Sequence, residues 1–116
     1  FSFTHVGEYL ITAVSDSPVG IDAEEIKTVF KPVTIFGIAA SSAKEYASLY
    51  TKAEAIIKYM ADKKAVDLKD VDLSSSPLVL GETLDANVFT FVKGDYVLSV
   101  VTKDTFVETE SEEEND

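Results

Sequence analysis

The chain has 116 residues and no cysteine, which allows one small domain and excludes disulfides, thiolate metal sites and thiol catalysis. Its hydrophobic fraction of 46% excludes wholesale disorder, and no apolar run approaches the ~20 residues that span a bilayer. All ten basic residues are lysine and the formal net charge is −11, so the chain lacks the basic surface of a nucleic-acid-binding protein. We therefore expect neither a membrane nor a nucleic acid as a partner.

The negative charge is concentrated at the end of the sequence. Six acidic residues lie among the nine positions 108–116, so the rest of the chain has a net charge of −5. A run of like charge is typical of a solvated, disordered tail, and we predict one domain over residues 1–107 followed by that tail. Because the sequence opens with Phe1, we expect a piece of a longer protein. The lack of cysteine and of a leader favours the cytoplasm.

Short extended segments are predicted in the first third of the chain. An apolar run over residues 9–14 predicts a strand, which the Asp-Ser-Pro turn at 16–18 ends. Residues 19–24 form a second extended segment, and the turn allows the two strands to pair as a hairpin. A proline and a glycine interrupt the periodicity over residues 31–42, where we predict a loop with a short helix in it.

The clearest helix signal begins at Ser42. Its hydroxyl can cap a helix, and Glu45 three residues later completes a capping box. Apolar residues then recur at spacings of three and four, which predicts a helix with one side against a core that ends at the polar residues 62–64. The apolar stripe consists of Tyr46, Leu49, Tyr50, Ala53, Ile56, Ile57 and Met60.

The last third of the chain favours strands. Residues 66–80 mix polar and apolar side chains around a Ser-Ser-Ser-Pro breaker. Two β-rich runs, 88–92 and 96–101, flank Lys-Gly-Asp at 93–95, which predicts an antiparallel hairpin. We therefore predict an α+β fold with an antiparallel sheet packed on one long helix.

A pair of acidic residues in the second extended segment is a candidate metal site. Asp22 and Glu24 are two residues apart, so their carboxylates leave the same face of a strand. Two such carboxylates repel each other unless a proton or a cation lies between them, and oxygen ligands of this kind suit Mg²⁺. The alternative is an ordinary solvated strand face, on which this spacing is common.

Two charged residues of the predicted helix are a second candidate pair. Glu54 and Lys58 are four residues apart and therefore neighbours on one helix surface. The alternative is an ordinary ion pair that stabilises the helix by roughly 0.3–0.5 kcal/mol. His5 is the lone histidine, and a lone histidine is more often structural or exposed than a ligand.

Three stretches of the sequence resemble motifs of the 4′-phosphopantetheinyl transferases. They are FSFTHVG over residues 1–7, PVGIDAE over 18–24 and LYTKAEAIIK over 49–58, and the resemblance extends over most of residues 1–101. It implies the α+β lobe of that family. It also implies transfer of the phosphopantetheine arm of coenzyme A to a serine of an acyl or peptidyl carrier protein, with release of 3′,5′-ADP. The carrier would serve fatty-acid, polyketide or peptide synthesis.

The resemblance also implies a role for each candidate residue. Asp22, Glu24 and Glu54 would bind Mg²⁺, and Glu54 would in addition accept the proton of the attacking serine. Lys58 would contact the phosphates as a catalytic and coenzyme A-binding residue, and His5 would contact another phosphate of coenzyme A.

The histidine-glycine block points to the two-lobed, surfactin-synthetase-activating type of the family. By that comparison, residues 1–18 are the end of a first lobe and the rest is the second lobe. We therefore expect a missing N-terminal lobe with basic, nucleotide-binding residues, or a homo-oligomer in its place.

Departures from the family motifs support an alternative function. Ala53 stands where the family has a lysine, Tyr50 replaces its tryptophan, and residues 61–64 lack the glycines that follow its helix. These changes remove a phosphate contact and alter the turn after the helix. The alternative is a degenerate, non-catalytic member that acts as a binding or scaffold domain in a larger assembly. A third possibility is an unrelated α+β domain.

Overall fold

The structure is a computed structural model that describes residues 1–104. One long helix packed against antiparallel strands confirms the predicted α+β class. The predicted tail over 108–116 lies outside the described residues, and no helix within them is long and apolar enough to span a bilayer. The elements in chain order are β1 (Ser2–Val6), β2 (Tyr9–Ala13), β3 (Val19–Glu25), β4 (Val33–Ile35), β5 (Ile38–Ala40), α1 (Ala43–Met60), a 3₁₀ helix (Leu68–Asp70), β6 (Val71–Asp72), β7 (Leu78–Val79), β8 (Glu82–Thr83), β9 (Asn87–Lys93) and β10 (Tyr96–Thr102).

The central sheet has the strand order β3-β10-β9, with both pairs antiparallel. The predicted late hairpin is confirmed, because β9 and β10 pair up to Lys93 and Tyr96 and leave Gly94 and Asp95 as a two-residue turn. Strand β10 is central, and its interior is buried on both faces of the sheet. It has a hydrogen-bonded neighbour along each edge, β3 on one side and β9 on the other.

The predicted pairing of residues 9–14 with 19–24 is wrong, although both segments are strands. β2 pairs with β1 through the two-residue turn Gly7-Glu8, and β3 pairs with β10 from the far end of the chain. The reason is that β10 needs a second neighbour and β3, whose first five residues are buried, supplies it. The 9–14 segment is then left for β1, to which the tighter turn joins it.

The predicted loop over residues 31–42 is an antiparallel hairpin, β4–β5, and the short helix expected there is wrong. Its turn consists of Phe36 and Gly37, whose φ angles are 53° and 81°. Two consecutive positive φ values match a type I′ turn, which fits the twist of a hairpin. A phenylalanine in this conformation is uncommon, so the glycine alone marks the turn in the sequence.

Helix α1 begins after Ser42, whose hydroxyl accepts a hydrogen bond from the Glu45 N–H at 3.1 Å. The capping box is only half formed, because the Glu45 carboxylate accepts from the N–H and hydroxyl of Ser41 at 2.7 and 3.0 Å, one residue before the cap. The buried surface of the helix is wider than the predicted stripe, since the sheet and the segment after the helix cover it from different sides. Of the seven predicted residues, Leu49, Ala53 and Ile56 are buried and the other four are half-buried. The helix also buries Ala47, Thr51, Ala55 and Tyr59.

Two apolar cores lie on opposite faces of the central sheet. The first surrounds α1 and includes Ile56 and Val101, both fully buried. The second lies between the sheet and the β1–β2 hairpin and includes Ile21 and Val100. At Gly20 the helix and β3 approach so closely that a Cβ there would overlap the carbonyl oxygen of Ala55. This close approach brings the functional side chains of α1 against β3.

Candidate active site

The contact between β3 and α1 brings four of the five predicted site residues together. Side chains alternate along β3, so Asp22 and Glu24 point toward α1. Ile21 and Ala23 point the other way, into the core between the central sheet and the β1–β2 hairpin. Glu54 and Lys58 lie one helical turn apart on the side of α1 that faces β3. The Lys58 ammonium lies 3.4 Å from Oδ1 of Asp22.

Asp22 is the most buried of these charged residues, with 7% of its surface exposed. Its Oδ1 accepts hydrogen bonds from the Thr4 hydroxyl at 3.3 Å and from Lys58 Nζ at 3.4 Å. Its Oδ2 is buried and has no hydrogen-bond partner among the described residues. A buried carboxylate oxygen without a donor is costly, so Oδ2 is the oxygen of Asp22 that could still bind a ligand.

Lys58 is held by three acceptors from two strands. Besides Asp22, its Nζ donates to the carbonyl oxygens of Phe3 at 3.1 Å and Ile21 at 2.9 Å. The ammonium therefore joins α1, β3 and β1 at one point. It is also only partly shielded, because 36% of the side chain is exposed.

The electrostatics of the site are dominated by excess negative charge. Burial is the main cause that raises the pKa of Asp22 to about 6; the attraction of Lys58 opposes this rise, and the charges of Glu24 and Glu54 add to it. Burial and the charge of Glu54 also raise the pKa of Glu24, while Lys27 and Lys58 lower it. Two lysines thus oppose the charge of three carboxylates. The chemistry of this donor set favours a hard cation.

The carboxylates of Asp22, Glu24 and Glu54 lie near one another, but in this structure they do not form a metal-binding cluster. Within residues 1–104, no three His, Asp or Glu side chains are arranged closely enough to hold a metal ion. Glu24 and Glu54 are half-buried.

His5 is the predicted site residue that the structure places elsewhere. Strand β1 turns Ser2, Thr4 and Val6 inward, so His5 is exposed on the opposite face. Its ring meets the edge of the Phe3 ring at 6.4 Å between centroids. Within this chain it does not contact the carboxylates, and its contact with coenzyme A stays a prediction.

Thr4 is a site residue that the sequence analysis missed. The signal that could have found it is the alternation of β1, in which two hydroxyl residues, Ser2 and Thr4, occupy inward positions where apolar side chains are usual. The motif resemblance drew attention to His5 instead. An inward hydroxyl has to find a hydrogen-bond partner, and the acidic β3 is that partner for Thr4.

A row of aromatic rings leads along α1 to the carboxylates. Tyr46 and Tyr50 stack with 6.1 Å between centroids, and Phe30 and Phe36 extend the row at either end. Burial and the charges of Glu54, Glu24 and Asp22 raise the pKa of the Tyr50 hydroxyl. A cavity of about 210 Å³ lies beside the row. It is lined by Glu24, Phe30, Tyr46, Ala47 and Tyr50 among others.

The position of the family lysine does not face this site. Ala53 is fully buried in the core around α1. Lys52 lies on a different side of the helix, along a groove with Ser48 and Val92. The neighbouring lysine is therefore not placed to replace the missing one.

Comparison of the chain with protein-family models and with curated proteins found no match.

Proposed function

We propose that the chain is the catalytic half of a Mg²⁺-dependent 4′-phosphopantetheinyl transferase, which moves the phosphopantetheine arm of coenzyme A onto a serine of an acyl or peptidyl carrier protein. The observation that supports the proposal is the meeting of Asp22 and Glu24 on β3 with Glu54 and Lys58 on α1. These are the residues that the motif resemblance selects. They come from segments about 30 residues apart, and chance matches would not be expected to converge.

The residues fit a divalent cation by charge and by ligand type. Asp22 Oδ2 is a buried oxygen without a donor, and burial together with the neighbouring carboxylates raises the pKa of Asp22. Asp22, Glu24 and Glu54 would hold the ion, and the proposal requires the last two to change rotamer as it binds. When bound, Mg²⁺ neutralises charge on the pyrophosphate of coenzyme A.

The chain's own side chains supply the remaining chemistry. Glu54 accepts the proton of the carrier serine as the serine oxygen forms its bond to phosphorus. The bond from that phosphorus to the bridging oxygen breaks, and 3′,5′-ADP leaves with the bonding electrons. Lys58 contacts the phosphates as a point charge, exchanging one of its present acceptors for a phosphate oxygen. The cavity beside Glu24 and Tyr50 gives the substrates space next to the carboxylates.

The direct test is the mass of apo carrier proteins after incubation with coenzyme A, with Mg²⁺ and with EDTA. We expect a Mg²⁺-dependent mass gain that Asp22→Asn and Glu54→Gln each reduce at least 100-fold, whereas the exposed control Glu82→Gln does not. The longer protein that we expect to contain this sequence is assayed beside the chain. A gain with the longer protein alone would mean that its other part completes the coenzyme A pocket. No gain with either, across carriers of all three pathways, would refute the transferase.

The second candidate is a non-catalytic scaffold domain. Two observations favour it: Lys58 already has three acceptors, and Ala53 is core rather than a phosphate contact. As a scaffold, the chain would keep Lys58 as a structural tie between α1, β3 and β1. It would then show no change in thermal stability when Mg²⁺ or Mn²⁺ is added together with coenzyme A, which separates the two functions.

A further inference from the structure

The β1–β2 hairpin is joined to the site by side-chain hydroxyls. Strand β3 is an edge strand of the central sheet, and its outward N–H groups have no neighbouring strand to bind. The Ser2 hydroxyl oxygen accepts from the Ile21 N–H at 3.2 Å, and the Thr4 hydroxyl oxygen accepts from the Ala23 N–H at 3.3 Å. Two hydroxyls at a spacing of two residues thus take the place of the carbonyls of a neighbouring strand.

Thr4 differs from Ser2 in the hydrogen bond that its hydroxyl proton makes. Because the Thr4 oxygen is already an acceptor for Ala23, its single proton is directed to Oδ1 of Asp22, 3.3 Å away. Lys58 donates to the same oxygen. Both donors therefore hold Oδ1, and neither reaches Oδ2.

We propose that Thr4 is a positioning residue that fixes the Asp22 carboxylate so that Oδ2 is the oxygen presented to a divalent cation. The inference rests on the proposed metal site and assigns a function to the hairpin. Thr4 itself does not touch the cation. Its hydroxyl donates a hydrogen bond to Oδ1 of Asp22, so the cation binds through Oδ2 to a carboxylate whose orientation is already fixed.

Three substitutions separate positioning from support of the fold. Thr4→Val keeps the shape of the side chain and removes the hydroxyl, whereas Thr4→Ser keeps the hydroxyl and removes the methyl group. Ser2→Ala removes the equivalent backbone acceptor two residues away without touching Asp22. If Thr4 only supported the fold, Ser2→Ala and Thr4→Val would behave alike.

The experiment is a Mn²⁺ titration of each variant of the full 116-residue chain, followed by electron paramagnetic resonance and repeated with coenzyme A present. We expect Thr4→Val to weaken Mn²⁺ binding about tenfold or more, while Thr4→Ser and Ser2→Ala stay within about twofold of the wild type. Thermal unfolding of every variant confirms that it is folded. Thr4→Ala provides a second hydroxyl-free side chain if the valine prevents folding, and it should show the same loss.

The outcomes distinguish the two proposals. Wild-type binding of Mn²⁺ with equal binding by Thr4→Val and Thr4→Ala would overturn the positioning role and leave the metal site standing. A loss in Ser2→Ala as large as that in Thr4→Val would also overturn it, since the hydroxyls would then act only on the fold. No binding by the wild type, with or without coenzyme A, would remove the metal site and the positioning role together.

Discussion

The two faces of the central sheet bury side chains of different chemistry. On the hairpin side the sheet contributes apolar residues such as Ile21, Ala23 and Val100. On the helix side it contributes Asp22, with a pKa raised to about 6, and Ser99, whose hydroxyl lies 2.8 Å from that of Thr51 on α1. The hairpin-side, apolar face of the sheet stabilises the fold mainly by burial. The helix face includes a buried charge that lowers stability, which is typical of a functional site.

The largest expected effect tests the close approach on the helix face. A Cβ at Gly20 would overlap the backbone of α1, so Gly20→Ala should lower the free energy of unfolding by more than about 4 kcal/mol. Urea denaturation measures the change. Gly7→Ala is the matched control, because its Cβ would meet open space and only its positive φ of 56° opposes the change, at about 1 kcal/mol. Equal losses in the two variants would contradict the close contact of α1 with β3.

The next effect tests the cost of the buried charge. The folded-state pKa of Asp22 lies above its ordinary value of 3.8, so the folded chain binds the proton more tightly than the unfolded chain. This contribution to stability is present in full below pH 3.8 and is lost as the pH rises through about 6. Asp22→Asn resembles the protonated form. In EDTA it should therefore be more stable than the wild type by about 3 kcal/mol at pH 7, with little difference at pH 4.

The control for this prediction comes from the apolar face. Ile21→Val removes one buried methylene group, and its loss of about 1 kcal/mol should be the same at both pH values. Denaturation of both variants at pH 4 and pH 7 gives the comparison. A destabilised Asp22→Asn at pH 7 would mean that the Lys58 pair outweighs the cost of burial.

Local signals in the sequence predicted some elements well and long-range pairing poorly. The helix and the 93–95 hairpin depend on spacing and turn residues within a few positions. The neighbour of β3, in contrast, pairs Val19 with Thr102 at the other end of the chain, and no local pattern specifies that. The β4–β5 hairpin was missed because Phe36 occupies a turn position that usually requires glycine or asparagine.

In the candidate site, too, local signals predicted the spacing of the residues but not the packing around them. Period-two alternation was enough to place Asp22 and Glu24 on one face of β3, and helical spacing was enough to pair Glu54 with Lys58. That Asp22 is deeply buried while Glu24 is only half-buried depends on how α1 and β1 cover the strand, which is tertiary information. The contact of Thr4 with Asp22 depends on the same packing.

The central claim is that the helix face of the sheet is a divalent-cation site, and thermal unfolding with Mn²⁺ tests it most directly. A ligand that binds only the folded state, at 100 times its dissociation constant, stabilises it by about 2.7 kcal/mol. We predict that Mn²⁺ with coenzyme A raises the melting temperature of the wild type by several degrees and leaves that of Asp22→Asn unchanged. An equal rise in both proteins, or no rise in either, would contradict the claim.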